Sequence, residues 1–178
     1  MEIAILANGC FWCTEAVFQR LKGVHSVVSG YTGGHIKNPA YREVCRGITG
    51  HAEGIKIEFD PAVITYQQLL EVFFMTHDPT TLNRQGHDVG TQYRSEIFYT
   101  NAEQKRVAEL VIAALEAHQV FGQPIVTAIS EASEFYEAES DHWDYYNRNP
   151  EQPYCQILID PKVKKIKELF TDLVRTEE

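Results

Sequence analysis

The chain has 178 residues, 44% of them apolar and 23% charged, and a net charge of −9 at pH 7. These values suit one ordinary domain that buries its own core, and they exclude wholesale disorder. The acidic balance carries no basic block, which argues against nucleic-acid or anionic-membrane binding, and no apolar run approaches the ~20 residues that span a bilayer.

The N-terminus has neither a charged leader nor a long apolar segment, so a cytoplasmic protein without a signal peptide is expected, and a monomer. Four cysteines, Cys10, Cys13, Cys45 and Cys155, do not read as a disulfide scaffold in such a chain. Catalytic, redox or metal roles remain open.

Residues 2–7 alternate and then run apolar, which predicts a buried strand. Residues 11–22 place Ala16, Val17, Phe18 and Leu21 at helical spacing, with Gly23 as the C-cap. Val24 to Tyr31 returns as a strand and completes a strand–helix–strand unit. Residues 32–53 are rich in turn signals and read as a long ordered loop, packed down by Tyr41, Val44 and Cys45. From Gly54 to Asp60, Ile55, Ile57 and Phe59 alternate with Lys56 and Glu58, a strand pattern.

Thr65-x-x-Gln68 is a capping-box signature and opens a helix through His77. Asp78-Pro79-Thr80 ends that helix, a second irregular stretch runs from Thr81 to Arg94, and Glu96 to Tyr99 is a short strand. A helix capped by Thr100 or Asn101 runs to about His118, Ile125 to Ile129 is a strand, and the acidic, aromatic residues 135–147 are partly helical. Tyr154 to Asp160 predicts an edge strand, and Pro161 opens a last helix with lysines on its solvated face. The order strand, helix, strand, strand, helix, strand is that of a ferredoxin-like α/β sandwich core (βαββαβ). A single α+β domain over residues 1–178 is expected, with long ordered loops and C-terminal additions.

Cys10-Phe11-Trp12-Cys13 sits at the turn from the first strand to the first helix. Free N–H groups at such a turn favour an anion and lower a thiol's pKa, so a nucleophilic thiolate is expected. The same C-x-x-C also fits half of a zinc site, or two cysteines buried as small hydrophobes. A structural zinc site needs four N or S ligands, usually as two close pairs; Cys45 and Cys155 stand alone, so no metal is expected. Tyr41, Glu53, Asp88 and Tyr93 fall where no secondary structure requires them, yet local reasoning does not raise them above Glu134 or Asp141.

Six ordered blocks carry more. Gly9-Cys10-Phe11-Trp12, Gly30-Tyr31-Thr32-Gly33-Gly34, Gly50-His51-Ala52-Glu53, His77-Asp78-Pro79-Thr80, Arg84-Gln85-Gly86 and Gly90-Thr91-Gln92-Tyr93-Arg94-Ser95 resemble the peptide methionine sulfoxide reductase A family. The resemblance implies reduction of the S epimer of methionine sulfoxide, free or in oxidised proteins, with thioredoxin as reductant and no cofactor. By motif position it implies Cys10 as nucleophile, Glu53 as acid, and Tyr41 and Tyr93 as hydroxyls flanking the sulfoxide oxygen. Phe11 and Trp12 would line the methyl pocket, and Asp88 would fix the substrate side.

The implied chemistry leaves a sulfenic acid on Cys10, which condenses with a second thiol and is restored by thiol–disulfide exchange. Cys13, one helical turn on, is the preferred second thiol. Many family members have Gly there and use a C-terminal cysteine, which makes Cys155 the second candidate and a relay. The family's glycine-rich tail is absent, and a strand would limit the reach of Cys155. Cys45 reads as an inert buried thiol, and Trp143 stands where the family commonly has Gln, at the outer wall of the site. A general C-x-x-C thiol–disulfide oxidoreductase and a zinc-stabilised binding module compete with this reading; neither uses the Glu53 and Tyr93 blocks.

Overall fold

In the computed structural model, which describes residues 1–175, strand β1 (Glu2–Asn8) is buried on both faces from Ala4 onward. A strand of that kind must lie inside a sheet. Ala4 and Leu6 share one face with Ile55, Ile57 and Phe59 of β3 (Ala52–Phe59); Ile5 and Ala7 share the other with Ala52 and Phe98.

The helices cover the first face. They are α1 (Phe11–Phe18), α3 (Tyr66–Met75), α4 (Ala102–Ala117) and α6 (Asp160–Leu169), which contribute Val17 and Phe18, Leu69, Leu70, Val72, Phe73 and Phe74, Ala108 and Val111, and Ile166 to one core. A short helix α2 (Tyr41–Cys45) precedes β3, and α5 (Tyr145–Arg148) precedes α6.

The remaining strands are β2 (Val24–Thr32), β4 (Arg84–Gln85), β5 (Asp88–Val89), β6 (Ser95–Tyr99), β7 (Ala128–Glu131) and β8 (Phe135–Glu137). Six strands form one sheet in the order β7-β6-β1-β3-β2-β8; neighbours are antiparallel except β6 and β7. The architecture is mixed α+β. Strands β4 and β5 pair as a separate hairpin within the second irregular stretch.

The local signals explain most of these elements. Thr65 Oγ1 accepts from the Gln68 amide at 3.1 Å while Gln68 Oε1 accepts from the Thr65 amide at 2.9 Å, closing the capping box. Asn101, rather than Thr100, caps α4 through its side chain. Helix α1 ends at Phe18, earlier than its apolar spacing suggests, and its C-cap is Gln19; Gly23 serves the next turn at φ +85°. The predicted strand at Ile125–Ile129 forms slightly later, as β7.

One element is of the wrong type. Tyr154 to Asp160 is not an edge strand: Cys155–Ile159 is a π-helical turn running into α6. Cys155 and Ile159 are buried while Ile157 and Leu158 are exposed, an i, i+4 pattern that a short apolar run does not declare in advance. Pro161 offers no N–H to the Ile157 carbonyl, and the helical ladder widens where that bond is lost. The single domain expected over 1–178 reaches past the described residues at 176–178.

This topology gathers the loops at one end of the sheet. Strand β1 leaves it at Asn8, opposite Ser95 at the start of β6, and Glu53 enters β3 opposite Tyr31 near the end of β2. The turn carrying Cys10, the loop carrying Tyr41 and the loop carrying Asp88 and Tyr93 therefore adjoin.

Candidate active site

Gly9 makes the turn. Its φ is +113°, and a Cβ there would stand 2.9 Å from Gln85 Cγ. The turn sets Cys10 at the N-cap of α1, where its side chain caps nothing and stays available. The first free amide of the helix, Phe11 N–H, donates to Glu53 Oε1 at 3.2 Å.

Glu53 is only 1% exposed. Burial pushes its carboxyl up to about 8; the Phe11 amide opposes the shift, and the charges of Asp88 and Cys13 add to it. The site thus holds a neutral carboxylic acid at neutral pH beside Cys10.

The two thiols divide their proton against expectation. Burial pushes Cys10 well above the ordinary thiol range, and its hydrogen bond with Cys13 and the Glu53 charge push the same way. The Cys10 hydrogen bond lowers Cys13 to about 7 against the effect of burial, helped by the Lys162 charge and the Tyr154 hydroxyl. Desolvation outweighs the helix terminus, so the more acidic thiol of the pair is Cys13 and Cys10 keeps its proton.

Tyr41 and Tyr93 are half-buried. Burial raises both phenols well above their usual range; the Cys45 thiol and then Glu53 add at Tyr41, and Glu53 adds at Tyr93. Both therefore remain hydrogen-bond donors. The Tyr41 amide donates to Glu139 Oε2 at 2.9 Å and its ring packs on His142 at 4.3 Å between centroids.

Phe11 is buried between Tyr31 and His142, at 5.6 and 5.4 Å between ring centroids. Trp12 stacks on Tyr145 at 3.8 Å with planes 7° apart, and its Nε1 donates to His142 Nδ1 at 3.1 Å. Asp88 Oδ2 accepts from the Tyr154 hydroxyl at 3.0 Å, and that hydroxyl lies 3.7 Å from Cys13 Sγ. Cys155 is wholly buried in one small cluster with Cys13, Ala16, Ile159 and Val163, and Cys10 and Trp12 pack on its rim.

All nine residues singled out as site candidates come to this end of the molecule. One further expectation needs correcting. Cys45 is not an inert buried thiol: it is partly exposed and shares a hydrogen bond with Tyr41. Trp143 is 42% exposed, and its indole N–H donates to the Ala138 carbonyl at 2.8 Å. Among the described residues, no group of three or more His, Cys, Asp and Glu side chains is placed to hold a metal ion.

A family model described as peptide methionine sulfoxide reductase matches residues 2–173. The chain belongs to that family. It is 56% identical to a peptide methionine sulfoxide reductase MsrA of Chromobacterium violaceum over 98% of this chain and 99% of that one. It resembles the crystal structure of Mxr1 from Saccharomyces cerevisiae in reduced form, with a TM-score of 0.77 and 35% identity over 86% of this chain and 88% of that one. The same yeast protein in complex with Trx2 matches with a TM-score of 0.54 and 25% identity, over 81% of this chain and 84% of that one.

Within this reductase frame, three site residues escaped the sequence reading. Glu139 accepts from the Tyr31 hydroxyl at 2.9 Å as well as from the Tyr41 amide. Tyr145 forms the floor under Trp12, and Tyr154 joins Asp88 to Cys13. The acidic, aromatic run from 135 to 147 was the available signal for two of them. It marks the segment and not which of its side chains turn inward.

Proposed function

We propose that the chain reduces methionine sulfoxide to methionine with Cys10 as the nucleophile and Glu53 as the acid. The observation that carries this reading is the buried Glu53 carboxyl on the Phe11 amide, kept neutral to about pH 8 within the turn that holds Cys10.

A sulfoxide does not release oxide unaided. As the Cys10 sulfur attacks the sulfoxide sulfur, Glu53 gives its proton to the sulfoxide oxygen. Tyr41 and Tyr93 donate hydrogen bonds to the same oxygen, and Cys10 passes its proton to the thiolate form of its hydrogen-bond partner Cys13. The protonated oxygen then moves from the substrate sulfur to the Cys10 sulfur, the transient bond between the two sulfurs breaks, and methionine departs, leaving Cys10 as a sulfenic acid. Phe11 and Trp12 form an apolar wall suited to the S-methyl group, with the S epimer as substrate and Asp88 on its far side.

Cys13 then attacks the Cys10 sulfur, water leaves, and a Cys10–Cys13 disulfide forms. The shared thiol hydrogen bond and the acidity of Cys13 support it over Cys155, which has no exposed surface. Cys155 packs on Cys13 and is the candidate relay. Thioredoxin is the reductant in this reading, supported by the match to Mxr1 in complex with Trx2. Thiol exchange alone would have no use for a buried neutral acid, so a general thiol–disulfide oxidoreductase explains less.

The same reading takes β1, α1, β2, β3, α3 and β6 as a ferredoxin-like core, supported by the inner strand order β6-β1-β3-β2 with every neighbour antiparallel. It treats the chain as one domain. The deciding experiment is Cys10→Ser on the separated epimers of N-acetylmethionine sulfoxide. Loss of all turnover on the S epimer is expected, and retained turnover would sink the assignment.

A further inference from the structure

Residue Tyr154 has no role in the chemistry proposed so far, yet its hydroxyl is placed between two groups that have one. It lies 3.0 Å from Asp88 Oδ2 and 3.7 Å from Cys13 Sγ. The ring is held edge-on against Trp12, with centroids 5.7 Å apart at 86°, and the residue immediately precedes the π-helical turn that buries Cys155. We propose that Tyr154 is a positioning residue for the second half of the reaction, which aims Cys13 and passes its proton to Asp88. The proposal rests on the reading of Cys13 as the resolving thiol.

The hydroxyl has one proton and sits between Asp88 and the thiol pair, since it shares a hydrogen bond with Cys10 as well. While it donates to Asp88, its oxygen is free to accept the Cys13 S–H; once Cys13 is a thiolate, the same proton can turn toward sulfur. Resolution converts Cys10–S–OH and Cys13–SH into Cys10–S–S–Cys13 and water. The S–O bond at Cys10 breaks and the S–S bond forms; the Cys10 sulfur is reduced and the Cys13 sulfur oxidised. The Cys13 proton moves to the Tyr154 oxygen as the Tyr154 proton moves to Asp88. Glu53, reprotonated from solvent, gives a proton to the departing hydroxide, and Asp88 releases its proton to solvent.

The surroundings of Cys13 favour such a route. Its acidity depends first on the Cys10 thiol, a partner altered when Cys10 becomes a sulfenic acid, and the remaining aids are Lys162 and Tyr154. Asp88 and Glu53 both oppose ionisation or are opposed by it. Cys155, the other group packed on Cys13, is itself held protonated by burial. Tyr154 is the neighbour that can both take the proton and stabilise the thiolate left behind.

The test is single turnover of the full chain with N-acetylmethionine sulfoxide and no reductant. Sulfenic acid is trapped with dimedone, and disulfides are mapped by mass spectrometry from pH 6 to 10. For Tyr154→Phe, sulfenic acid on Cys10 should accumulate and its conversion to the Cys10–Cys13 disulfide should slow about 10- to 100-fold near pH 7. The deficit should close as pH rises and Cys13 ionises unaided; slowing by the same factor at every pH would mark a purely structural role and overturn the proposal. Asp88→Asn keeps an acceptor oxygen but no proton acceptor, and the same raised pH profile is expected in its conversion step. Conversion at the parental rate and pH profile in both variants also overturns the proposal while leaving Cys13 as resolver. A Cys10–Cys155 linkage as the first disulfide of the parent removes its premise instead.

Discussion

The Phe11 amide and the Glu53 carboxyl meet at 3.2 Å although 42 positions separate them in the chain. This one bond satisfies the first orphan N–H of α1 and fixes the proposed acid in the turn that carries Cys10. It is also too weak to ionise Glu53 against the cost of burial.

Replacing Glu53 with Gln keeps an oxygen for the Phe11 amide and removes the proton. Sulfenic acid formation should slow by about 10²- to 10⁴-fold, measured as the methionine burst in rapid quench. In the parent the burst rate should fall as pH rises through about 8, where the acid form is lost. An unchanged burst in Glu53→Gln would refute its role.

Stability should respond to the same group. The folded carboxyl, near 8, lies above its ordinary 4.5, so the folded state holds the proton more tightly. That contribution is complete below about pH 4.5 and is lost as pH rises through 8. Urea unfolding should therefore show Glu53→Gln gaining on the parent from pH 5 to 8.5, by up to a few kcal/mol. A constant difference across that range would contradict the buried-acid picture.

The paired hydroxyls of Tyr41 and Tyr93 stay protonated, so each is proposed to supply one neutral donor. Tyr41→Phe and Tyr93→Phe should each lower kcat/KM about tenfold, the scale of one lost hydrogen bond of 1–2 kcal/mol. The double variant should lose more than either alone. If kcat/KM for the S epimer stays at the parental value in the double variant, the two do not touch the oxygen.

The two candidate resolving thiols separate cleanly. Cys13→Ser should leave sulfenic acid on Cys10 to persist, whereas Cys155→Ser should still form a Cys10–Cys13 disulfide within twofold of the parental rate. Mass spectrometry after one turnover distinguishes them. The reverse result would make Cys155, despite its full burial, the first partner.

Gly9→Ala would force a Cβ toward Gln85 at a φ of +113°. A destabilisation of about 1–3 kcal/mol is expected in denaturant titration, with slower alkylation or oxidation of Cys10 as its turn shifts. Unaltered stability would mean that the turn relaxes at no cost.

Local chemistry made several elements legible before any coordinates. Thr65 and Gln68 announced a capping box, and Ile55, Ile57 and Phe59 alternated as a half-buried strand, because both patterns depend on neighbours two to four residues apart. Residues 154–160 misled for the converse reason. Tyr-Cys-Gln-Ile-Leu-Ile fits either period, and its helical turn is decided by burial of Cys155 and Ile159 against Cys13 and Val163. Motif blocks singled out Cys10, Glu53, Tyr41, Tyr93 and Asp88, but no spacing distinguished Tyr145 or Tyr154 from the other aromatics of the C-terminal third.

The sequence by itself determined the family, the order of the main elements and the residues from which a sulfoxide site could be made. Those properties reside in motifs and in short-range periodicity. The tertiary structure decided the protonation of the site, because pKa values follow from burial and from neighbours distant in the chain. Glu53 is an acid near neutral pH because β3 buries it beneath α1, and Cys10 keeps its proton because the same burial outweighs the helix terminus. It also brought Tyr154 and Asp88 to Cys13, a junction of three segments whose adjacency depends on the sheet and the last helix rather than on any local pattern.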